Sequence, residues 1–193
     1  MAETYTHEEQ RLLLQLARDT LEAVTSGRPE PEVNLAQMPP ALIEKRACFV
    51  TMHRWSDGSL RGCTGTLVAR RPLALEVVYT TVQTAFQDWR FFPVTEVEVG
   101  DIHLEISVLT PSQPLEFVDS DDLLRKLRPG VDGVTLRLEN QRATFLPQVW
   151  ESYSDPRVFL SLLAQKMGRS SDAWRDPRIE VETYQAIVFE EPR

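Results

Sequence analysis

Cys63 stands in the run LRGCTGTL, residues 60 to 67, between Gly62 and Gly65 and two residues after Arg61. A thiol beside a guanidinium, with flanking glycines that let a carbonyl or backbone approach closely, is a pattern suited to nucleophilic chemistry. Arginine cannot act as a base, so such chemistry also needs a proton acceptor, and His53 is the nearest candidate in sequence. The bland alternative is a small cysteine packed where larger side chains would clash. Two other chemistries fit less well. Arg70 and Arg71 precede a helix that opens at Pro72 and could hold an anion there. The Gly-x-x-Gly spacing, however, matches neither the dinucleotide fingerprint nor the P-loop. His103, Glu105 and Ser107 share one strand face, but the two distant cysteines and three scattered histidines lack metal-ligand spacing, and no metal or other cofactor is expected.

These residues need elements to position them. Ala47 to Trp55 is a predicted strand, joined through Ser56-Asp57-Gly58-Ser59 to a second strand, Leu60 to Leu67; Asp-Gly marks the hairpin. Two registers are open. A three-residue loop with a glycine bulge pairs His53 with Arg61, diagonal to Cys63; a two-residue turn points His53 away. In either, Cys48 and Cys63 are separated along the strands by about 10–14 Å, too far for a disulfide. The first strand is apolar on both alternating faces and is expected to be covered on both.

Thr6 and Glu9 have capping-box spacing before a helix closed by Gly27. Four prolines between Arg28 and Pro40 mark a surface connection. A helix from Pro72 to about Trp89 carries Leu73, Val77, Val78, Val82, Ala85 and Phe86 as its apolar stripe. The stretch DIHLEISVL alternates with Ile102, Leu104, Ile106 and Val108 inward. A helix near Asp121 to Leu127, a hairpin through LENQR, a helix from Pro156 to Met167 capped by Asp155 and Gly168, and a strand from Ile179 to Phe189 complete the chain. The predicted fold class is α+β, with a mixed, largely antiparallel sheet and packed helices.

At 193 residues and 42% hydrophobic content the chain can bury a core without disulfides or metal. Its formal charge of −8 supplies no positive field for a nucleic-acid backbone, and no apolar run approaches the length of a membrane span. The first residues show no signal-peptide pattern, so a cytoplasmic protein with two free thiols is expected.

LRGCTGTL resembles the Leu-Arg-Gly-Cys-Ile-Gly signature of the AMMECR-domain family, whose prokaryotic members are called AmmeMemoRadiSam system protein A. AFQDWRFFPV is similar to that family's Ala-Phe-x-Asp-Pro-Arg-Phe-Pro-Pro-Leu, and LEISVLTP to its Glu-Ile-Ser-Val-Leu-Ser-Pro; GVDGVTL and FLPQVW are nearly unchanged. Thr64, Trp89 and Phe92 depart from the pattern. The resemblance implies one AMMECR-type domain over residues 1–193, built of two interleaved subdomains with the Arg-Gly-Cys-x-Gly signature near a cleft between them. It implies work alongside a Memo-like protein and a radical S-adenosylmethionine enzyme, and it supplies no reaction. Carried over by position, the site comprises Arg61, Gly62, Cys63 and Gly65, with Asp88, Arg90, Glu105 and Ser107. Two functions follow: an accessory module holding a small molecule, peptide or partner, or a thiol-dependent enzyme with Cys63 as nucleophile, Arg61 as stabiliser and His53 or His103 moving the proton.

Overall fold

A computed structural model of the chain describes residues 5–192; residues 1–4 and 193, which the expected 1–193 domain includes, lie outside the described residues. The chain folds as two compact units, one formed by residues up to Leu109 together with those from Ile187 onward, the other by Thr110–Ala186.

The first unit packs two long helices on a four-stranded antiparallel sheet. Helix α1 (His7–Thr25) opens on the expected capping box: the Thr6 hydroxyl accepts from the Glu9 amide and the Glu9 carboxylate accepts from the Thr6 amide. Gly27 closes it with φ +74°. A one-turn helix, α2 (Pro40–Ile43), ends the proline-rich connection. Strands β1 (Cys48–Arg54), β2 (Leu60–Gly65) and β3 (Ile102–Leu109) follow, with α3 (Leu73–Phe86) between β2 and β3. The sheet order is β2-β1-β3-β8, where β8 (Ala186–Glu190) is the last strand of the chain. Cys48, Val50 and Met52 of β1 and Leu104, Ile106 and Val108 of β3 are buried against Leu13, Ala17 and Leu21 of α1 and Leu73 and Val77 of α3. Full burial of side chains of this size contributes roughly 1.5–3 kcal/mol each, which makes this face the unit's main source of stability.

The second unit has a sheet ordered β4-β7-β5-β6, from β4 (Gln113–Pro114), β5 (Gly133–Leu138), β6 (Gln141–Phe145) and β7 (Glu180–Tyr184). Helix α4 is Ser120–Lys126, α5 is Val149–Ser152 and α6 is Pro156–Lys166; Trp150 stacks on Phe159 of α6 at 3.7 Å between ring centres. Asp155 caps α6 through the Arg157 amide and Gly168 closes it with φ +82°.

The α+β class holds, and three expectations are corrected. The final apolar alternation is not one strand but two, β7 in the second unit's sheet and β8 in the first's, parted at Gln185. Helix α3 stops at Phe86, three residues short of Trp89, because the Asp88 carboxylate turns to the Cys63 and Arg90 amides and the Val94 amide donates back to the Ala85 carbonyl. The hairpin keeps the three-residue-loop register from Phe49 to Met52, with Thr51 opposite Cys63, and departs from it only at the turn end, where His53 faces Leu60 and Arg61 is left as the extra residue of a β-bulge. Among the described residues, no helix is long and apolar enough to cross a membrane.

Candidate functional site

The first unit's sheet has a second, polar face. Cys63 lies opposite Thr51, and Thr51 lies opposite Glu105, so three strands contribute one row. With neighbouring strands about 4.8 Å apart, Cys63 and Glu105 are roughly 10 Å apart along the row. His53 faces His103 in the next row, and Phe49 faces Ser107 on the other side. Regular β1–β3 pairing puts His53 on the face of Thr51 and Glu105 despite the bulge in β2.

Cys63 is half-buried, and its sulfur accepts a hydrogen bond from the Thr51 hydroxyl at 3.4 Å. This close approach follows from the register: Thr51 and Cys63 are a non-hydrogen-bonded antiparallel pair, in which side chains come nearest. Cys48, on the opposite face, is fully buried, and burial pushes its thiol up to about 12. Both cysteines are free.

Asp88 and Arg90 reach Cys63 through its backbone. Strand β2 is a sheet edge, so the Cys63 N–H and C=O point outward, away from β1. The Cys63 N–H donates to Asp88 Oδ2 at 2.8 Å, and Arg90 Nη2 donates to the Cys63 carbonyl at 3.0 Å. The pair is itself locked, with Arg90 Nε and Nη2 donating to Asp88 at 2.9 and 2.7 Å. Hydrogen bonds from Arg90 hold the Asp88 carboxyl down at about 2, against the cost of burial and with help from the Cys63 and Arg90 amides.

Arg61 leads away from the thiol. Its buried guanidinium donates to Glu98 at 2.9 Å and to the Phe92 carbonyl at 3.0 Å. Glu98, which also closes a capping box with Thr95, is held at about 2, chiefly by Arg61. Arg61 Nη1 is buried with no hydrogen-bond partner among the described residues, while the Phe91 ring centre lies 5.8 Å from the guanidinium carbon. Arg61 thus fixes the loop after α3. On that loop Trp89 and Phe92 are each 90% exposed.

The glycines of the signature make room for protein atoms. A Cβ on Gly65 would sit 2.4 Å from the Phe49 ring and 2.5 Å from the Cys48 carbonyl; one on Gly62 would meet Thr84 at 3.1–3.2 Å. Gly62 therefore lets α3 approach the strand, and Gly65 lets the Phe49 ring lie across it.

Among the described residues Glu105 has no hydrogen-bond donor. Thr51 turns its hydroxyl to Cys63, and the His103 ring is engaged elsewhere, its Nε2 3.0 Å from the Glu191 carbonyl and its plane against Trp55 at 4.0 Å. Burial pushes the Glu105 carboxyl up, with His53 and His103 opposing. Ser107 is buried, and His53 makes no hydrogen bond with any described residue. Among the described residues no three His, Cys, Asp or Glu side chains are grouped to hold a metal.

The three-residue-loop register already sets Thr51 opposite Cys63, and the fold makes it the sulfur's partner. Glu98 carried a signal in Thr-x-x-Glu capping spacing, although nothing local announces its second role with Arg61.

The profile of the AMMECR1 family matches residues 14–189. This chain belongs to the AMMECR1 family. Relatives include a Methanocaldococcus jannaschii protein, 32% identical over 96% of this chain and 92% of its own length. Another, from Methanopyrus kandleri, is 35% identical over 99% of this chain and 92% of its own. The crystal structure of an uncharacterized protein from Pyrococcus horikoshii superposes with a TM-score of 0.79 at 32% identity, covering 96% of this chain and 93% of that one. Within this AMMECR1-family chain, the bulged Arg61, the two glycines and the Asp88–Arg90 pair all act on backbone geometry. Cys63 Sγ, Glu105 and His53 remain as polar groups open to a ligand.

Proposed function

We propose that this chain is an accessory binding component that works in the cytoplasm with a Memo-like protein and a radical S-adenosylmethionine enzyme. The observation that carries this reading is the commitment of Asp88 and Arg90 to the Cys63 peptide. The charged groups nearest the thiol position its backbone, and the sulfur's own partner is a neutral hydroxyl. A cysteine nucleophile needs a base within hydrogen-bond reach that is itself oriented by a third group. His53 shares the sheet face with Cys63 but has neither connection. What this face offers instead is recognition: a hydroxyl, a thiol, an imidazole and the unpartnered, half-buried Glu105, which suits a ligand or partner bringing an N–H donor. The two free cysteines fit a reducing compartment.

The test mixes the purified chain with a Memo-like protein and a radical S-adenosylmethionine enzyme encoded beside it, following association by sedimentation and Cys63 by intact-mass spectrometry. Association that survives Cys63→Ser and weakens in Glu105→Gln supports the binding role. A covalent adduct on Cys63 would replace it with the thiol-enzyme reading, and absence of any complex would remove the named partners.

A further inference from the structure

Strand β2 turns two peptide groups outward from the sheet edge, those of Cys63 and Gly65, because every second residue of an antiparallel edge strand faces away from its neighbour. The intervening and following residues point inward, as the Thr66 amide shows by donating to the Cys48 carbonyl at 3.1 Å. At Cys63 both outward groups are answered, the N–H by Asp88 and the C=O by Arg90. At Gly65 neither group has a partner among the described residues, and the residue is exposed.

Gly65 lines a cavity of about 280 Å³ walled by Arg70, Arg71, Tyr79, Gln83 and Gln87. The two arginines differ. Arg71 is ion-paired at 3.2 Å to the buried Glu76, and its guanidinium lies 3.9 Å from the centre of the Tyr79 ring. Arg70 is exposed and makes no ion pair or hydrogen bond with any described residue. The cavity therefore offers one open peptide N–H, one open peptide C=O and one uncommitted cation.

An antiparallel chain pairing with Gly65 would present its own N–H to the Gly65 carbonyl and its own C=O to the Gly65 N–H. Its next residues would run along β2 toward Cys63, where the Asp88–Arg90 clamp already occupies the edge. Such a chain must end at the residue opposite Gly65. If it ends there, the accepting oxygen belongs to a terminal carboxylate, whose charge is what Arg70 lacks. We propose that this cavity binds an N-acylated α-carboxylate: the C-terminal residue of an extended polypeptide or a free N-acyl amino acid. The acyl N–H donates to the Gly65 carbonyl, and the carboxylate accepts from the Gly65 N–H and from Arg70. The anion role that the sequence offered to the arginine pair thus falls to Arg70 alone, with the strand edge as the second contact.

Amide ¹H–¹⁵N NMR titration with N-acetyl-alanyl-alanine and with its C-terminal amide tests this directly. Saturable shifts at Gly65 and Thr66 are expected for the acid, with the amide weaker by about tenfold or more, the scale of a hydrogen bond to a charged group. Arg70→Gln, at an exposed position, is expected to weaken the acid similarly and leave the amide unchanged. Absence of saturable shifts, equal binding of acid and amide, or indifference to Arg70→Gln would overturn the proposal. Tighter binding of a six-residue peptide acid than of N-acetyl-alanine supports the site with protein C-termini as its source, and equal binding supports it with small N-acyl amino acids.

Discussion

Replacing Asp88 by alanine isolates the clamp on the Cys63 peptide. The carboxylate is almost fully buried and accepts from the Cys63 amide, the Arg90 amide and two Arg90 guanidinium nitrogens. Those terms do not add, because the Arg90 side chain is 41% exposed and recovers water when its partner is lost; exposed pairs of this kind contribute about 0–1 kcal/mol. The larger loss is at Cys63, whose N–H is left without its acceptor at a cost of roughly 1–3 kcal/mol. Together these give about 1–4 kcal/mol for Asp88→Ala. Asp88→Asn keeps one carbonyl acceptor and should cost about half as much. In a chain of this size each kcal/mol moves the melting temperature by roughly 2–4 °C. The more specific readout is hydrogen exchange: the Cys63 amide should exchange at least about tenfold faster in Asp88→Ala, while the Thr64 amide, paired inward with Val50, should follow only the global loss of stability. If Cys63 exchange is unchanged, or stability moves by less than about 0.5 kcal/mol, the clamp has no structural role and the argument fails.

Gly65→Ala should destabilise the first unit by about 1–3 kcal/mol, since its methyl would meet both the Phe49 ring and the Cys48 carbonyl below 3 Å. Gly62→Ala should cost less, because its nearest contacts are 3.1–3.2 Å; urea melts of the two variants check the order. Asp88 and Glu98 titrate lower in the folded chain than in the unfolded one, so their stabilisation is fully present above about pH 5 and is lost as pH falls toward about 2. Asp88→Ala and Glu98→Gln should each flatten that acid limb in pH-dependent melts. Glu105 has the opposite sign: its raised carboxyl costs stability once ionised, so Glu105→Gln should be as stable as the parent or more so at neutral pH, and a clear loss would reveal a partner the carboxylate does have.

Local patterns made much of the fold readable. Thr6 and Glu9, Gly27, Asp155 and Gly168 each mark a helix end through groups within a few residues, and period-two alternation assigns Leu104 and Glu105 to opposite faces. Alternation cannot set the register between strands, however. Here register depends on a turn whose Ser56 is tied to Asp101, 45 residues later, at 2.9 and 2.8 Å, and on a bulge at Arg61. The three-residue-loop register therefore holds through Met52, and its break at His53 is unannounced because neither contact has a local signal. The division of the last strand was hidden for a related reason. Ile179, Val181, Ile187 and Phe189 keep one phase, so nothing local indicates that the chain leaves one sheet and enters another at Gln185. At the site, residue types pointed to Cys63 and the family resemblance to Asp88 and Arg90, but only the fold reveals that they meet through a peptide group.

That meeting changes which groups are candidates for chemistry. An exposed sheet edge is a template for unwanted pairing, and charged side chains that answer its outward N–H and C=O remove the hazard. Asp88 and Arg90 do so at Cys63, while Gly62 and Gly65 let a helix and an aromatic ring pack against the same strand. A side chain with such a role is costly to replace whether or not any ligand binds, so loss of function on mutating Asp88, Arg90 or either glycine does not by itself locate an active site. The thiol of Cys63 and the carboxylate of Glu105 are different. Beyond the single hydroxyl contact to the sulfur, neither stabilises the fold through a hydrogen bond to the described residues. Substitutions there that abolish function while leaving melting and Cys63 exchange intact would therefore report on recognition itself.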